Sequence, residues 1–341
     1  MKRVAYIKTV ALLLCMCCIM AGCSSMDSPD KVNAGSKDNP VSGGMIGWTD
    51  EGLLTAKSIS DDKSITIEAS VIAYPPENVY RVNLVRDESE ASELANELIM
   101  SRYTDYQESL WDWSVIRNNT LVAAFGCDDL WTTNYIDVEN DQDGITLEED
   151  QLLKNFITEK IPAGSIHTPT SAIKIACDFI NEHSEALEFK AYNVMATEDE
   201  DSEAGFYTVE VEGYYKGIPV SRHWDLTKRS AGGSIHVGNN GIFNVCAMFL
   251  LKETSAENAT IVDVEQVAAT LCNHFHMLIS MYDIQIDEIS LEYFFWTNDD
   301  GTYTLKPVWC FSGSGQQTGL DHRSDVSILY FAEDGSFCGI Y

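Results

Sequence analysis

Basic residues are scarce. The 341-residue chain carries 22 Lys and Arg against 53 Asp and Glu, a formal net charge of −31. Nucleic-acid affinity depends on cations meeting phosphates, so this shortage excludes nucleic acid as a partner. It also argues against a chain that lies flat on anionic lipid. Motifs that anchor a nucleophile or a cofactor are missing too. There is no G-x-S-x-G elbow, and no G-x-G-x-x-G or phosphate loop follows a strand pattern. Beyond residue 22 there is no C-x-x-C, which removes zinc-ribbon and thioredoxin-like readings. Histidines do not gather: His274 and His276 are two apart, so a helix would point them to different sides. His223 has no other His or Cys within four residues. These absences leave no enzyme and no cofactor to expect.

Long apolar runs are missing except one, and that one gives an address. Lys2, Arg3 and Lys8 precede the apolar run Val10 to Ala21. The run is short for a membrane span, which needs about 20 apolar residues, and suits an export signal. It ends Met20-Ala21-Gly22-Cys23, which resembles a bacterial lipobox, with Met20 where Leu is usual. The expectation is a lipoprotein signal peptide over 1–22 and palmitate-type lipidation of Cys23. Residues 23–50, rich in Ser, Gly, Asp, Asn and Pro, form a flexible tether. The protein is then held on the outer, extracytoplasmic face of the cell membrane by its lipid.

Ten cysteines reduce to six once the signal and Cys23 are set aside: Cys127, Cys177, Cys246, Cys272, Cys310 and Cys338. Export permits disulfides, but their scatter through strand and helix patterns reads as small buried hydrophobes, with no pairing preferred. The signal region holds three of the 22 bases and no acid, so the remainder carries 19 bases against 53 acids, net −34. Such a surface keeps the protein soluble and attracts cationic peptides or Ca²⁺. One run, Glu139, Asp141, Asp143 and Asp150, spaces carboxylates as a weak calcium loop. It departs from the pattern at its first and twelfth positions and reads first as a solvated turn, so no metal site is assigned.

Residues 51–164 read as an N-terminal α+β domain. Ser64 to Tyr74, Val79 to Val85 and Thr120 to Phe125 are strands. Ser89 to Met100 has the apolar spacing of a helix, and Asp150 to Ile161 reads as a second, short one. The rest contains an internal repeat with a period of about 95 residues, far longer than a solenoid unit. Gly205-Phe-Tyr-Thr208 opens one alternating strand and Gly301-Thr-Tyr-Thr304 opens another. Each follows a helical stretch and a strand. The first helix starts at Thr168-Pro169 and the second spans Ile261 to Ile279. Each repeat ends in a hairpin, turned at Asn239-Asn240-Gly241 and at Glu333-Asp334-Gly335. Ser312 to Asp321 reads as a loop. The repeats are expected at 165–254 and 255–341.

A helix followed by a four-stranded meander, with Tyr207, Gly217-Ile-Pro-Val220, Gly241, Tyr303, Pro307-Val-Trp309 and Gly335, resembles PepSY-like domains, and most closely the YycI-type regulatory proteins. YycI-type proteins are anchored by a helix rather than a lipid. The resemblance implies an α+β fold of antiparallel sheets each covered by a helix, the C-terminal half a tandem duplication. It also implies a role in binding or restraining other extracytoplasmic proteins, without catalysis. The expected contact site is Tyr214, Tyr215, Lys216 and Ile218, taken as an edge strand with exposed aromatics that can add a partner strand. The alternative is an envelope lipoprotein holding a small molecule, peptide or glycan between its repeats.

Overall fold

The computed structural model describes residues 46–60, 63–107, 113–117, 120–127, 133–137, 165–197, 205–221, 231–275, 281–317 and 322–341. These are mostly β-sheet, with three α-helices and two sheets of nine strands each. The expected signal peptide, and nearly all of the expected tether, lie outside the described residues. No helix among those described is long and apolar enough to cross a membrane.

The second half of the chain contains two units with one order of elements. In the first, α2 (Pro169–Glu182) leads into β9 (Glu188–Thr197), β10 (Phe206–Tyr215), β12 (Gly232–Gly238) and β13 (Gly241–Met248), an antiparallel meander. In the second, α3 (Val264–His274) leads into β15 (Met281–Thr297), β16 (Tyr303–Gln317), β17 (Arg323–Phe331) and β18 (Phe337–Ile340), also antiparallel. Both Tyr-Thr pairs open the second strand of their meander. Tyr207 and Tyr303 are wholly buried, and Thr208 and Thr304 are buried beside them. Helix starts follow local chemistry. Thr168 and Ser171 form a capping box ahead of Pro169 at the first turn of α2, an arrangement that stabilises a helix by about 1 kcal/mol. The apolar stripes turn inward: Ala172, Ala176 and Ile180 on α2, Val267, Ala268 and Leu271 on α3.

Strands from the first half do not form a sheet of their own. β1 (Gly47–Trp48), β2 (Leu54–Ser60) and β3 (Lys63–Ile72) extend the second unit's meander through β15. β4 (Tyr80–Arg86) pairs with the start of β16 and with β14 (Leu251–Asn258). β5 (Tyr106–Gln107), β6 (Trp113–Arg117), β7 (Thr120–Cys127) and β8 (Thr133–Asp137) extend the first unit's meander through β13. The described strands of 51–164, read as an N-terminal α+β domain, thus extend both meanders. Between the extensions runs α1 (Glu88–Ala95), capped by the Asp87 carboxylate on the N–H groups of Ser89 and Glu90 and prolonged by a π-helical turn to Met100. The second short helix expected, Asp150 to Ile161, lies outside the described residues.

Two further expectations are corrected. The sheets are not purely antiparallel, because β3 and β15 run parallel, with Ile65 opposite Ile284 and Ile67 opposite Ile286. The two strands lie far apart in the chain, so no hairpin forces the antiparallel sense. Ser312 to Gln317 is strand rather than loop, paired with β15 on one side and β17 on the other. Its Gly313 is required there: an added Cβ would stand 1.9 Å from the Gln285 carbonyl, beside the bulges of β15. Pro307, which cannot donate to a ladder, sits where the outer edge of β16 passes from β4, ending at Leu305, to β17, starting at Val308.

One continuous core spans both sheets, from Ile65 and Leu84 to Tyr207, Phe249, Leu271 and Phe311. Among the described cysteines, Cys177, Cys272 and Cys310 are free thiols. Cys272 and Cys310 are buried, and burial pushes both thiols up, Cys272 to about 11.

Candidate functional site

The two sheets meet where β10 ends. Tyr215, Lys216, Gly217 and Ile218 form a two-residue hairpin turn into β11 (Ile218–Pro219). Lys216 has a φ of 50° and Gly217 a φ of 85°. A type I′ turn requires positive φ at both positions. The chain then reaches the other sheet. Val220 makes a parallel bridge to Tyr293 of β15, and the Ser221 N–H donates to the Tyr293 carbonyl at 2.7 Å. Backbone hydrogen bonds thus link sheet to sheet.

Three tyrosines pack at this seam. Tyr215 stands edge-on to Tyr80, with centroids 6.2 Å apart, and to Tyr293, at 5.8 Å. The Tyr293 hydroxyl accepts from the Tyr80 backbone N–H at 3.0 Å, and the Tyr215 hydroxyl donates to Glu253 Oε2 of β14 at 2.8 Å. Burial, then the Glu253 hydrogen bond, pushes the Tyr215 phenol above its ordinary range, and burial pushes Tyr293 up to about 12. Both phenols therefore stay protonated throughout the physiological range.

An open groove of about 700 Å³ runs over this seam. One wall is the α2–β9 connection, with Asn181, Glu185 and Glu188. The other is formed by Tyr214, Tyr215, Lys216 and Glu253. Asn181 also fixes its own wall. Its amide donates to the Phe189 carbonyl at 2.9 Å and accepts from the Phe189 N–H at 2.7 Å, imitating a neighbouring strand at the start of β9. Lys252 pairs with Glu185 across the groove end at 3.2 Å, and that bond holds its ammonium above the usual lysine range.

Three of the four contact residues expected from the sequence line this groove, but not on an edge strand. β10 lies between β9 on one side and β12 and β11 on the other. Tyr215 is 3% exposed and Ile218 1% exposed, so neither is a surface aromatic or aliphatic contact. Tyr214 is half-buried, its ring under the Lys190 ammonium at 4.4 Å and its hydroxyl donating to Glu212 at 2.5 Å. Lys216 is exposed. The alternating pattern that drew attention to the stretch comes from a central strand. Asn181, Glu185 and Glu253 were not legible as site residues, because only tertiary pairing brings β14 beside the α2–β9 connection.

Cys23, the carboxylate series Glu139, Asp141, Asp143 and Asp150, and His223 and His276 lie outside the described residues. Among the described residues no group of three or more His, Cys, Asp or Glu is placed to hold a metal ion.

No family model matches the chain, and no curated protein matches it. Among solved structures, an uncharacterized protein from Eubacterium rectale ATCC 33656 aligns over 84% of this chain and 94% of that one, at 15% identity and a TM-score of 0.48. The Bacillus megaterium YpeB C-terminal domain aligns over 75% of this chain and 98% of that one, at 14% identity and a TM-score of 0.28. Both likenesses are distant and assign neither a family nor an activity to this chain.

Proposed function

We propose that this chain is an extracytoplasmic, lipid-anchored binding or regulatory protein that acts through protein or peptide contacts, not an enzyme. The observation that carries this reading is the groove over the seam, where Tyr214 and Lys216 are presented on a fixed turn between two sheets. Its polar groups are tyrosine hydroxyls, carboxylates and amines already held in mutual contacts. That is chemistry suited to recognition rather than bond breaking. The two helix-and-meander units are read as copies of one PepSY-like unit. Their common order of elements and the buried Tyr-Thr pair at the same point of each support that reading. Lipid anchoring rests on the sequence Met20-Ala21-Gly22-Cys23.

Two experiments test it. A photo-reactive phenylalanine derivative at Tyr214 should capture a discrete, reproducible partner in the intact envelope, while the same group at Lys174, exposed on α2, should not. Equal capture at both positions, or none at Tyr214, overturns the contact site. Cys23→Ala should move the protein from the membrane fraction to the soluble one. Retention in the membrane overturns the anchor.

A further inference from the structure

Beside the groove one of the chain's own cations rests on aromatic rings. The Lys216 ammonium lies 3.9 Å from the centroid of the Tyr80 ring and 5.1 Å from that of Tyr215. These aromatic rings, rather than a carboxylate, seat the ammonium, although Glu253, Glu185 and Glu188 line the same groove. Lysine is an unusual choice at that turn position. Its φ of 50° suits Asn or Gly. For other side chains the left-handed region costs about 1 kcal/mol. The site therefore accepts a cation over two tyrosine faces, beside a groove where Glu185 and Glu188 already hold Lys252 and Lys190 and Glu253 accepts from Tyr215, on a chain of net −31.

We propose that Lys216 is an internal stand-in for a Lys or Arg side chain of a cationic partner segment. The partner's cation takes the seat over Tyr80 and Tyr215, and Lys216 swings into solvent on its flexible stem. The proposal rests on the reading that this groove is the contact site. An incoming segment has an advantage that Lys216 lacks: it reaches Tyr214, Glu185 and Glu188 as well as the aromatic seat. An arginine adds planar stacking on the rings. Because Lys216 competes for the seat, it weakens binding of any single stray cation and favours a segment that makes several contacts.

The test uses the full chain at about 0.15 M salt, where charges more than about 8 Å apart are largely screened. Binding of acetyl-Arg-Gly-Arg-amide is compared with its uncharged citrulline counterpart for the wild type, Lys216→Asn and Lys174→Gln. Asn keeps the turn and empties the seat. Lys174→Gln removes the same charge about 10 Å along α2 from Asn181. The arginine peptide should bind the wild type in preference to the citrulline peptide. It should bind Lys216→Asn roughly two- to five-fold more tightly, the equivalent of one exposed cation–π contact, with Lys174→Gln unchanged. On binding to the wild type, the Lys216 ε-methylene should lose its ring-current shift. Equal binding of the two peptides, no gain in Lys216→Asn, or an equal gain in Lys174→Gln overturns the proposal. If these fail while the Tyr214 probe still captures a partner, the groove reading stands without the cation seat. If both fail, the groove reading falls too.

Discussion

The two helix-and-meander units share an order of elements but differ in which edge is extended. In the first unit the added strand, β8, joins the last strand of the meander, β13, so the first strand, β9, is an edge among the described strands. In the second unit the added strand, β3, joins the first strand, β15, so the last strand, β18, is left as the edge. Each free edge is handled differently. The β9 edge is occupied at its start by the Asn181 amide of the preceding helix. The β18 edge is only four residues long, with Phe337 half exposed. Short or covered edges limit strand addition. The difference places the groove. The asymmetry brings the β10–β11 turn against β15, and the strands that fill out the second unit bring β14 beside the α2–β9 connection.

The largest effect is expected at the second unit's close approach. In Gly313→Ala the added carbon meets the Gln285 backbone. Neither ladder can yield cheaply, so the change should cost more than about 3 kcal/mol. At Gly217 an added carbon meets nothing within 4 Å. Only the positive φ opposes Gly217→Ala, at about 1 kcal/mol. Thermal melts of the two variants should separate in that order. Similar melts would show that β15 and β16 are not held as closely as described.

A pH titration sharpens the comparison from the first unit's side. His236 of β12 is packed between the rings of Phe206 and Phe243, and burial pushes its imidazole from an ordinary 6.5 down to about 4. The unfolded chain takes up this proton near pH 6.5, whereas the folded chain resists until about pH 4. Stability should therefore fall as pH drops through that window, by on the order of 3 kcal/mol. His236→Leu should flatten this part of the pH profile of denaturant stability, relative to wild type. An unchanged slope would mean the ring is solvated.

The edge clamp is a smaller effect. Asn181→Ala removes both bonds to Phe189 and should cost about 1–3 kcal/mol. Faster amide exchange should be confined to the start of β9. Faster exchange spread over β18 as well would contradict the separate treatment of the two edges.

Much of each unit was legible because its signals are local. The Thr168-Pro169 helix start, the stripe Val264, Val267, Ala268 and Leu271, the Asn239-Asn240 and Asp334-Gly335 turns, and the two Tyr-Thr strands each declare themselves within a few residues. What stayed hidden is non-local. β14, Leu251–Asn258, is largely exposed and polar, so it carries no apolar alternation. The end of β16 is rich in Gly, Ser and Gln, with Gly313 required by the close approach of β15, and composition alone reads that as a loop. Parallel pairing of β3 with β15 has no signature in either strand. The site followed the same division. Tyr214 to Ile218 stood out in the sequence, but their placement at a junction between sheets depends on Tyr293 and Tyr80, residues far away in the chain. Glu253 entered the site only through a strand that the sequence did not announce.

The backbone link from Val220 and Ser221 to Tyr293, together with the continuous core, joins both units into one body, so that the groove is a fixed feature. Amide exchange of the full chain in rising denaturant, followed on segments covering β10 and β16, tests this most directly. One opening transition, shared by both segments at the same midpoint, is the predicted result. Two separate midpoints, with one meander open while the other remains protected, would contradict it.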